Sequence, residues 1–512
     1  MINKIACGAV YGVDAFRVDL EVDYSRAGLP AFTMVGLAEG AVRESRDRVF
    51  AALRNGNFRL PPARITVNLA PADRKKGGSS YDLPLAVGLL AASGQLPEDA
   101  ARGFFFTGEL SLTGEVKAVP GVLPLAILAR DEGAEAFFVP LQNAAEAAVV
   151  SGLTVYGAES LGQVVAFLAG EGGLEPCPAP DLEEQTAWAG ADFLDFADVK
   201  GQDHAKRAVE IAAAGGHNLL FLGPPGSGKT MLARRMGTVL PPLSFEEALE
   251  VTKIYSVAGA LPPGKGLITE RPFRTPHHTI SEYGLVGGGQ IPKPGELSLA
   301  HRGVLFLDEL LEFRKQTLEV LRQPLENGSI TLARAAHTLT YPADVMLVAA
   351  MNPCPCGYLT DTRKACTCSA ADIKRYRGRL SGPLLDRIDL HVEVPAVPYQ
   401  DLRNDRPGRS SAEMRENVLA ARGRQRARYA QGPWRCNADL SGRALERFCR
   451  LDESGHAFLG EAVRALHLSA RAYTRILRIA RTIADLESAV DIATAHLAEA
   501  VNCRALDREA DG

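Results

Sequence analysis

The strongest chemical signal in the sequence is the glycine-rich stretch GPPGSGKT at residues 223–230. It matches the phosphate-binding pattern G-x-x-x-x-G-K-[ST], and it lies between an apolar run and a segment with helical character. In such a loop, backbone N–H groups surround phosphate oxygens, Lys229 reaches the outer phosphates and Thr230 ligates Mg²⁺. The sequence therefore predicts that ATP and Mg²⁺ bind here. The predicted nucleotide-binding residues are Gly223, Pro224, Pro225, Gly226, Ser227, Gly228, Lys229 and Thr230.

A pair of acids ends another apolar run, VLFLDE at 304–309. A carboxylate at the end of a buried strand can hold Mg²⁺ through water, a role that suits Asp308, and Glu309 beside it can polarise the attacking water. Two acids at the end of a buried strand would be costly without a metal. The pair therefore predicts the catalytic half of an ATP-hydrolysing site.

Four of the nine cysteines lie between residues 354 and 368, in the spacing C-x-C-x₉-C-x-C. Four thiolates in a short loop suit tetrahedral Zn²⁺, although the usual spacing is C-x₂-C. We therefore predict a structural zinc site, with unliganded reduced cysteines or a redox pair as the alternatives. A catalytic metal is not expected, because four sulfur ligands leave no open position. The candidate zinc ligands are Cys354, Cys356, Cys366 and Cys368.

The elements that must position these residues are visible as three continuously apolar runs, at 217–223, 303–309 and 344–352. Strands that are buried on both faces have this pattern, which predicts a parallel sheet covered by helices. Before residue 170, short β-branched runs alternate with helical patterns, and no clear strand follows residue 400. The sequence thus predicts an α/β fold with a helical C-terminal part.

The chain has 512 residues, a length that suggests about three domains. Its composition also changes from one part to the next. Residues 171–194 are rich in acids, prolines and glycines, which is typical of a linker. The predicted parts are, in order, an α/β domain at 1–170, an acidic linker at 171–194, an ATPase core at 195–398 and a helical domain at 399–512.

Composition and charge exclude several classes of protein. Hydrophobic residues are 46% and charged residues 23%, which is ordinary for globular proteins and excludes disorder of the whole chain. Lysine plus arginine is 57 and aspartate plus glutamate is 61, a net charge of −4, so any nucleic-acid surface must be local. We find neither the ~20 apolar residues of a membrane span nor a secretory signal pattern. We therefore expect a cytoplasmic protein without a membrane partner.

Together these motifs resemble an AAA+ ATPase of the magnesium-chelatase/MCM-related branch over residues 195–505, and the whole chain resembles the ComM/YifB family of magnesium-chelatase-like proteins. The resemblance implies that Asn352 is sensor 1, which positions the lytic water, although an Asn-Pro turn is the alternative. It implies that Arg387 is an arginine finger for ATP bound by the neighbouring subunit, and hence a homo-hexameric ring. It also implies that Arg471 is sensor 2, with Arg475 as the fallback and a solvated basic helix face as the alternative.

The same resemblance implies a DNA motor, a helicase that promotes branch migration in homologous recombination and natural transformation. The candidate contacts to single-stranded or branched DNA are Arg274 and Lys293, in an insertion before Asp308, and Arg334, near the tip of a hairpin-like segment at 329–342. A solvated surface charge is the alternative for each one taken singly. In a hexamer, one or two cations per subunit would form a basic collar with salt-sensitive phosphate binding.

The first domain resembles the proteolytic domain of Lon-type proteases, through residues 77–93 and 107–134. Ser80 falls near the Lon nucleophile, but the position of the Lon lysine falls at Leu123. A serine nucleophile needs a base, so the resemblance implies a Lon-like fold without peptidase activity.

Two other functions compete with a DNA motor. The first is a magnesium-chelatase-like ATPase that remodels a protein partner. The second is an ATP-dependent Lon-like protease, which Leu123 disfavours. The first domain also contains a small basic stretch that is equally well explained as a DNA-facing cluster or as a solvated turn, formed by Arg74, Lys75 and Lys76.

Overall fold

The computed structural model describes most of the chain as strands, helices and ordered connections. The described residues are 2–37, 40–97, 99–179, 194–289, 292–334, 337–361, 363–397, 408–504 and 506. Part of the predicted acidic linker, residues 180–193, lies outside the described residues. The predicted boundary between the ATPase core and the helical domain, at 398/399, also lies outside them.

The strands of the described chain are numbered in chain order. They are β1 Ile2–Tyr11, β2 Asp14–Ser25, β3 Ala31–Val35, β4 Arg64–Ala70, β5 Phe104–Phe106, β6 Glu109–Leu110, β7 Val116–Lys117, β8 Ala136–Pro140, β9 Thr154–Ala158, β10 Leu219–Leu222, β11 Phe273–Arg274, β12 Gly287–Gly288, β13 Lys293–Pro294, β14 Val304–Leu307, β15 Ser329–Arg334, β16 His337–Pro342, β17 Met346–Met351 and β18 Leu390–Glu393.

The helices are numbered in the same way. They are α1 Gly40–Asn55, α2 Asp82–Ser93, α3 Val122–Asp131, α4 Ala144–Ala147, α5 Leu161–Leu168, α6 Asp203–Gly215, α7 Lys229–Arg234, α8 Met236–Val239, α9 Phe245–Ala258, α10 Glu282–Val286, α11 Glu296–Leu299, α12 Lys315–Glu319, α13 Arg322–Asn327, α14 Ala370–Arg377, α15 Gly382–Leu385, α16 Ser411–Arg428, α17 Arg443–Phe448, α18 Glu453–Ala465, α19 Ala470–Leu486 and α20 Thr494–Asn502. None of the described helices is long and apolar enough to cross a membrane.

The chain separates into two compact units. The first unit contains Met1–Ala187, Ser244–Thr269 and Ala335–Tyr341, and the second contains the remaining segments. The predicted ATPase core and helical domain thus belong to one unit. Two segments predicted as part of the ATPase core, Ser244–Thr269 and Ala335–Tyr341, are the exceptions and are grouped with the first unit.

The sheet of the first unit has seven strands in the order β3-β4-β2-β1-β5-β8-β9. β1, β2 and β4 pair antiparallel, and the remaining neighbours pair parallel. Burial alternates along β2, as expected for a strand with one face on a core. That face packs on α2, which is buried from Asp82 to Ala91. At Gly88 of this helix, a Cβ would lie 2.9 Å from the side chain of Val22, so glycine permits the close approach.

The sheet of the second unit has five strands in the order β11-β14-β17-β10-β18, and all neighbouring pairs are parallel. Strands β10, β14 and β17 are buried along their whole length. Helices α6, α16 and α19 share one hydrophobic core with the sheet. The predicted α/β fold with a parallel sheet and a helical C-terminal region is therefore confirmed.

Helix α9 shows why the segment Ser244–Thr269 belongs to the first unit. The backbone N–H groups of Gly121 and Leu123, at the start of α3, donate to the carbonyl and hydroxyl oxygens of Ser256. Leu249 of α9 packs against the apolar cluster that contains α3. These contacts join a segment that follows the phosphate loop in sequence to the core of the first unit.

Candidate functional site: a phosphate loop at the carboxyl edge of the parallel sheet

The predicted phosphate loop connects β10 to α7 in the second unit. It begins at Gly223, whose backbone is so close to Val394 that a Cβ would lie 2.1 Å from the Val394 carbonyl oxygen. Gly226 and Gly228 have φ values of 75° and 94°, a left-handed conformation that favours glycine. The three glycines therefore give the loop the backbone path that brings Lys229 to the start of α7.

The ammonium group of Lys229 lies inside this loop. Its Nζ donates to the carbonyl oxygens of Gly223 and Pro224 at 2.7 and 2.8 Å, and it lies 3.3 Å from Oδ1 of Asn352. Burial lowers the pKa of Lys229 to about 8, against the opposing effect of the Asp308 and Glu309 carboxylates. An ammonium group held only by neutral oxygens gains strongly when an anionic phosphate reaches it.

The predicted acids follow β14, the sheet neighbour of β17. Oδ2 of Asp308 accepts a hydrogen bond of 2.7 Å from the Thr230 hydroxyl, and its Oδ1 accepts one from the backbone of Glu309. Hydroxyl and carboxylate oxygens are the hard ligands that Mg²⁺ prefers, so Thr230 and Asp308 fit the predicted Mg²⁺ site. The structure thus brings together five predicted residues: Lys229, Thr230, Asp308, Glu309 and Asn352.

Glu309 is the more exposed of the two acids, and its side chain lies near a histidine. Its backbone is left-handed, with φ 50° and ψ 48°, and its side chain is 59% exposed. Nδ1 of His278 lies 3.6 Å from Oε2 of Glu309. The sequence analysis missed His278, although a histidine pair shortly after β11, the strand next to β14, could have pointed to the same sheet edge.

Arg387 does not join this group of residues. Its guanidinium donates to the carbonyl oxygens of Arg322 and Pro383 at 3.0 and 2.7 Å, and it pairs with the carboxylate of Glu326. Arg387, Arg322 and Glu326 border a cavity of about 470 Å³, which Glu319 also lines. Among the described residues, no hydrogen bond of the Arg387 guanidinium reaches the phosphate loop.

The two candidates for sensor 2 differ in their surroundings. Arg475 forms a buried ion pair of 2.8 Å with Asp389. Burial opposes ionisation of Asp389, but His217, whose Nδ1 lies 3.7 Å from Oδ2, and the charge of Arg475 hold the pKa of Asp389 well below the ordinary value. The side chain of Arg471 is 62% exposed and lies 3.0 Å from Asp386. The ion pair of Arg475 is therefore buried in the core, whereas that of Arg471 lies at the surface.

The four predicted zinc ligands converge at one point, here called the cysteine cluster (Cys354, Cys356, Cys366 and Cys368). All four sulfur atoms lie within 4.8 Å of one another, and the closest pairs are separated by 3.4, 3.5 and 3.7 Å. A tetrahedral site with bonds of ~2.3 Å places its sulfurs about 3.8 Å apart. Hydrogen bonds from the backbone of Tyr358 and Thr367 lower the pKa of Cys356 to about 5. Against the backbone hydrogen bond with Cys356, burial and the neighbouring cysteine side chains raise the pKa of Cys368 to about 12.

The candidate DNA-binding side chains that the structure describes differ in their ion pairing and exposure. Arg274 forms a two-pronged ion pair with Glu296, at 2.6 and 2.7 Å, so its charge is already matched within the chain. Lys293, in β13, is exposed. Arg334 ends β15, and its side chain lies outside the described residues.

In the first unit, the interpretation of residues 74–76 as a DNA-facing cluster is wrong for Lys76. This side chain is fully buried, and its Nζ donates to the carbonyl oxygens of Gly36 and Pro71. Burial accordingly lowers the pKa of Lys76. Ser80 is half-buried at the start of α2, and Leu123 is a buried apolar residue that offers no base.

The parallel sheet, the phosphate loop and the acids beside it define an AAA+ ATPase. Profiles described as "Magnesium chelatase, subunit ChlI", "Subunit ChlI of Mg-chelatase" and "Magnesium chelatase, subunit ChlI C-terminal" match residues 195–402, 20–143 and 408–504. The chain is 48% identical to Competence protein ComM of Haemophilus influenzae, over 98% of this chain and 97% of that protein. It is 46% identical to YifB of Escherichia coli, over 98% and 96%. The chain therefore belongs to the ComM/YifB family of magnesium-chelatase-like proteins.

A more distant similarity is confined to part of the chain. The Magnesium-chelatase 67 kDa subunit of Chlorobaculum tepidum is 28% identical over 217 residues, which are 41% of this chain and 28% of that protein.

The lowered pKa of Lys229 predicts a pH dependence of ATP affinity. Above a pKa of about 8 the unliganded amine loses its proton, so phosphate binding must take that proton up again. ATP affinity should then fall about tenfold per pH unit at higher pH, measured by equilibrium titration. The Lys229→Arg variant stays charged and serves as the control, with a flat profile. A flat profile for the wild type would contradict this account.

The positions of Asp308 and Glu309 predict a separation of binding from hydrolysis. Glu309→Gln leaves the Mg²⁺ ligands in place but removes the base, so kcat should fall at least about 100-fold while ATP affinity changes less than about twofold. Single-turnover kinetics and ATP titration measure the two effects. Glu312→Gln, an exposed acid on the same turn, should retain the wild-type rate. Wild-type hydrolysis by Glu309→Gln would show that another group is the base.

Proposed function

We propose that the chain is an ATP-driven motor that acts on single-stranded or branched DNA. In this proposal it works as a homo-hexameric helicase that promotes branch migration in homologous recombination and natural transformation. The observation that supports it most directly is the match along 98% of the chain to a protein named for competence. The nucleotide site supplies ATP hydrolysis, and the cytoplasmic location predicted from the sequence stays a prediction.

The setting of Arg387 supports the hexameric part of the proposal. The residue lies at a cavity of its own unit, where its side chain is 13% exposed, and it makes no described hydrogen bond to the phosphate loop. This position fits an arginine that acts on the nucleotide of a neighbouring subunit, where it would stabilise the transferred phosphoryl group. We propose that Arg387 leaves Glu326 when the ring forms and then contacts ATP of the next subunit. Asn352 and Arg471 complete the site as sensors 1 and 2.

The DNA-binding part of the proposal rests on few cations. Lys293 is the exposed candidate, whereas Arg274 would have to leave Glu296 before it could contact DNA. Arg334 remains a candidate from its place at the end of β15. Because the chain has a net charge of −4, we propose that the ring gathers these cations from all its subunits into one phosphate-binding collar.

We also propose that the cysteine cluster holds a structural Zn²⁺. The support is the agreement between the sulfur separations of 3.4 to 3.7 Å and those of a tetrahedral thiolate site. Four sulfur ligands complete the coordination of the metal, so the proposed ion has no place for substrate or water.

A second candidate function is a magnesium-chelatase-like ATPase that remodels a protein partner. The three matching profiles and the similarity to the 67 kDa subunit favour it. An ATP-dependent protease is less well supported, because Leu123 stands where the resemblance would require a basic lysine. Stimulation of ATP hydrolysis by DNA or by a protein partner separates the first two functions.

A subunit-mixing experiment tests the proposed action of Arg387 on a neighbouring site. Arg387→Ala should bind ATP normally but hydrolyse it at least about 100-fold more slowly. Lys229→Ala should lose ATP binding. Mixed rings of the two inactive variants should recover part of the activity, because intact fingers then face intact phosphate loops. Absence of recovery in rings shown to contain both variants would contradict action in trans.

The DNA-motor proposal predicts that DNA stimulates ATP hydrolysis. The steady-state rate, measured with single-stranded and branched DNA, should rise severalfold, and the stimulation should fade between about 50 and 200 mM salt as phosphate contacts are screened. Lys293→Gln should weaken the stimulation but leave the basal rate unchanged. Lys265→Gln removes another exposed lysine and should have little effect. A rate that no DNA changes at either salt concentration would favour protein remodelling instead.

A further inference from the structure

The cysteine cluster is directly connected to the nucleotide site along the chain. Its first member, Cys354, follows Asn352 with only Pro353 between them, and Gly357 comes immediately after Cys356. The carbonyl oxygen of Pro353 accepts a hydrogen bond of 3.0 Å from Nε of Arg377. A residue predicted to position the lytic water thus lies two positions from a candidate metal ligand.

A second connection between the cluster and the nucleotide site runs through space. Gly357 is buried, and a Cβ on it would lie 2.7 and 2.8 Å from Cδ and Cγ of Pro225 in the phosphate loop. Its φ of 84° is left-handed, and its N–H donates to the Cys354 carbonyl at 3.0 Å. A tight turn within the cysteine cluster therefore places a bare backbone segment against the phosphate loop.

The connection along the chain, through Asn352, leads to Lys229. Oδ1 of Asn352 lies 3.3 Å from Nζ of Lys229, the group predicted to meet the outer phosphates. The loop from Asn352 to Gly357 consequently contacts the nucleotide site at both of its ends. Between these contacts stand two of the four candidate metal ligands, Cys354 and Cys356.

We propose that Zn²⁺ in the cysteine cluster braces the nucleotide site, so that metal occupancy sets the affinity of the protein for ATP. This inference rests on the proposed zinc site. With the metal bound, the bonds to Cys354 and Cys356 fix the turn that presses Gly357 on Pro225, and they hold Asn352 beside Lys229. Without it, the bonds that fix this turn are absent, so the turn relaxes and the phosphate loop loses this support.

The first experiment measures metal content and ATP affinity on the same full-length protein. The wild type should contain about one Zn²⁺ per chain by elemental analysis, as one closed tetrathiolate site requires. After removal of zinc with a chelator, ATP should bind about tenfold more weakly, the order of loss expected when a positioned group is released. Added Zn²⁺ should restore the affinity, and additional Mg²⁺ should not.

A pair of glycine variants tests the brace without removing the metal. Gly357→Ala keeps all four cysteines but forces a Cβ into Pro225, so it should retain Zn²⁺ and still bind ATP about tenfold more weakly. Gly94→Ala is the matched control, because Gly94 also has a left-handed φ, of 81°, but has open space around its Cβ position. It should bind both ligands like the wild type. Thermal unfolding of both variants shows whether either has lost its fold.

Three outcomes would overturn the inference, and they are distinguishable from one another. A chain that neither contains nor takes up Zn²⁺ contradicts the zinc site and the brace together. A chain that binds Zn²⁺ but keeps its ATP affinity after zinc removal contradicts the brace and leaves the structural zinc site in place. Wild-type ATP affinity in a folded, zinc-loaded Gly357→Ala variant contradicts the contact with Pro225 as its route.

Discussion

The buried ammonium group of Lys229 is the interaction on which the rest of the structure depends. Removing a charge from water is costly, and this one has only neutral hydrogen-bond partners, from Gly223, Pro224 and Asn352. The strand order supplies those partners, because β10 and β17 are parallel neighbours and end at the same edge of the sheet. β14 brings Asp308 to that edge. The parallel sheet therefore holds the Lys229 ammonium group in a buried position where no anion among the described residues pairs with it, and an anionic phosphate can form that ion pair.

The phosphate loop and the acid pair could be predicted because each is formed by consecutive residues. The types and spacing of those residues determine both the local conformation and the chemistry. The parallel sheet could be predicted because strands buried on both faces lack the alternation of surface strands. The histidine pair after β11 points at most to the correct sheet edge, and nothing in the sequence indicates Gly357. The proximity of His278 to Glu309 and of Gly357 to Pro225 joins residues distant in sequence, and no local pattern specifies such a pair.

Burial distinguishes residues that look alike in the sequence pattern. A helical repeat placed Arg471 and Arg475 on one face of α19, but only the packed structure shows that Arg475 is paired with Asp389 in the core. The basic residue Lys76 likewise looks like a surface charge in sequence and is a buried donor to backbone carbonyls. Helix α9 follows the phosphate loop in sequence, yet its apolar contacts group it with the first unit.

The most direct test of the account is a high-resolution structure of the full-length protein with ATP and Mg²⁺ bound. We predict that Nζ of Lys229 leaves the carbonyl oxygens of Gly223 and Pro224 and lies about 2.8 Å from an oxygen of the outer phosphates. The hydroxyl of Thr230 should ligate Mg²⁺ at about 2.1 Å, with Asp308 beside it. A complex in which Lys229 keeps both carbonyl partners, with the phosphates bound elsewhere, would contradict the account.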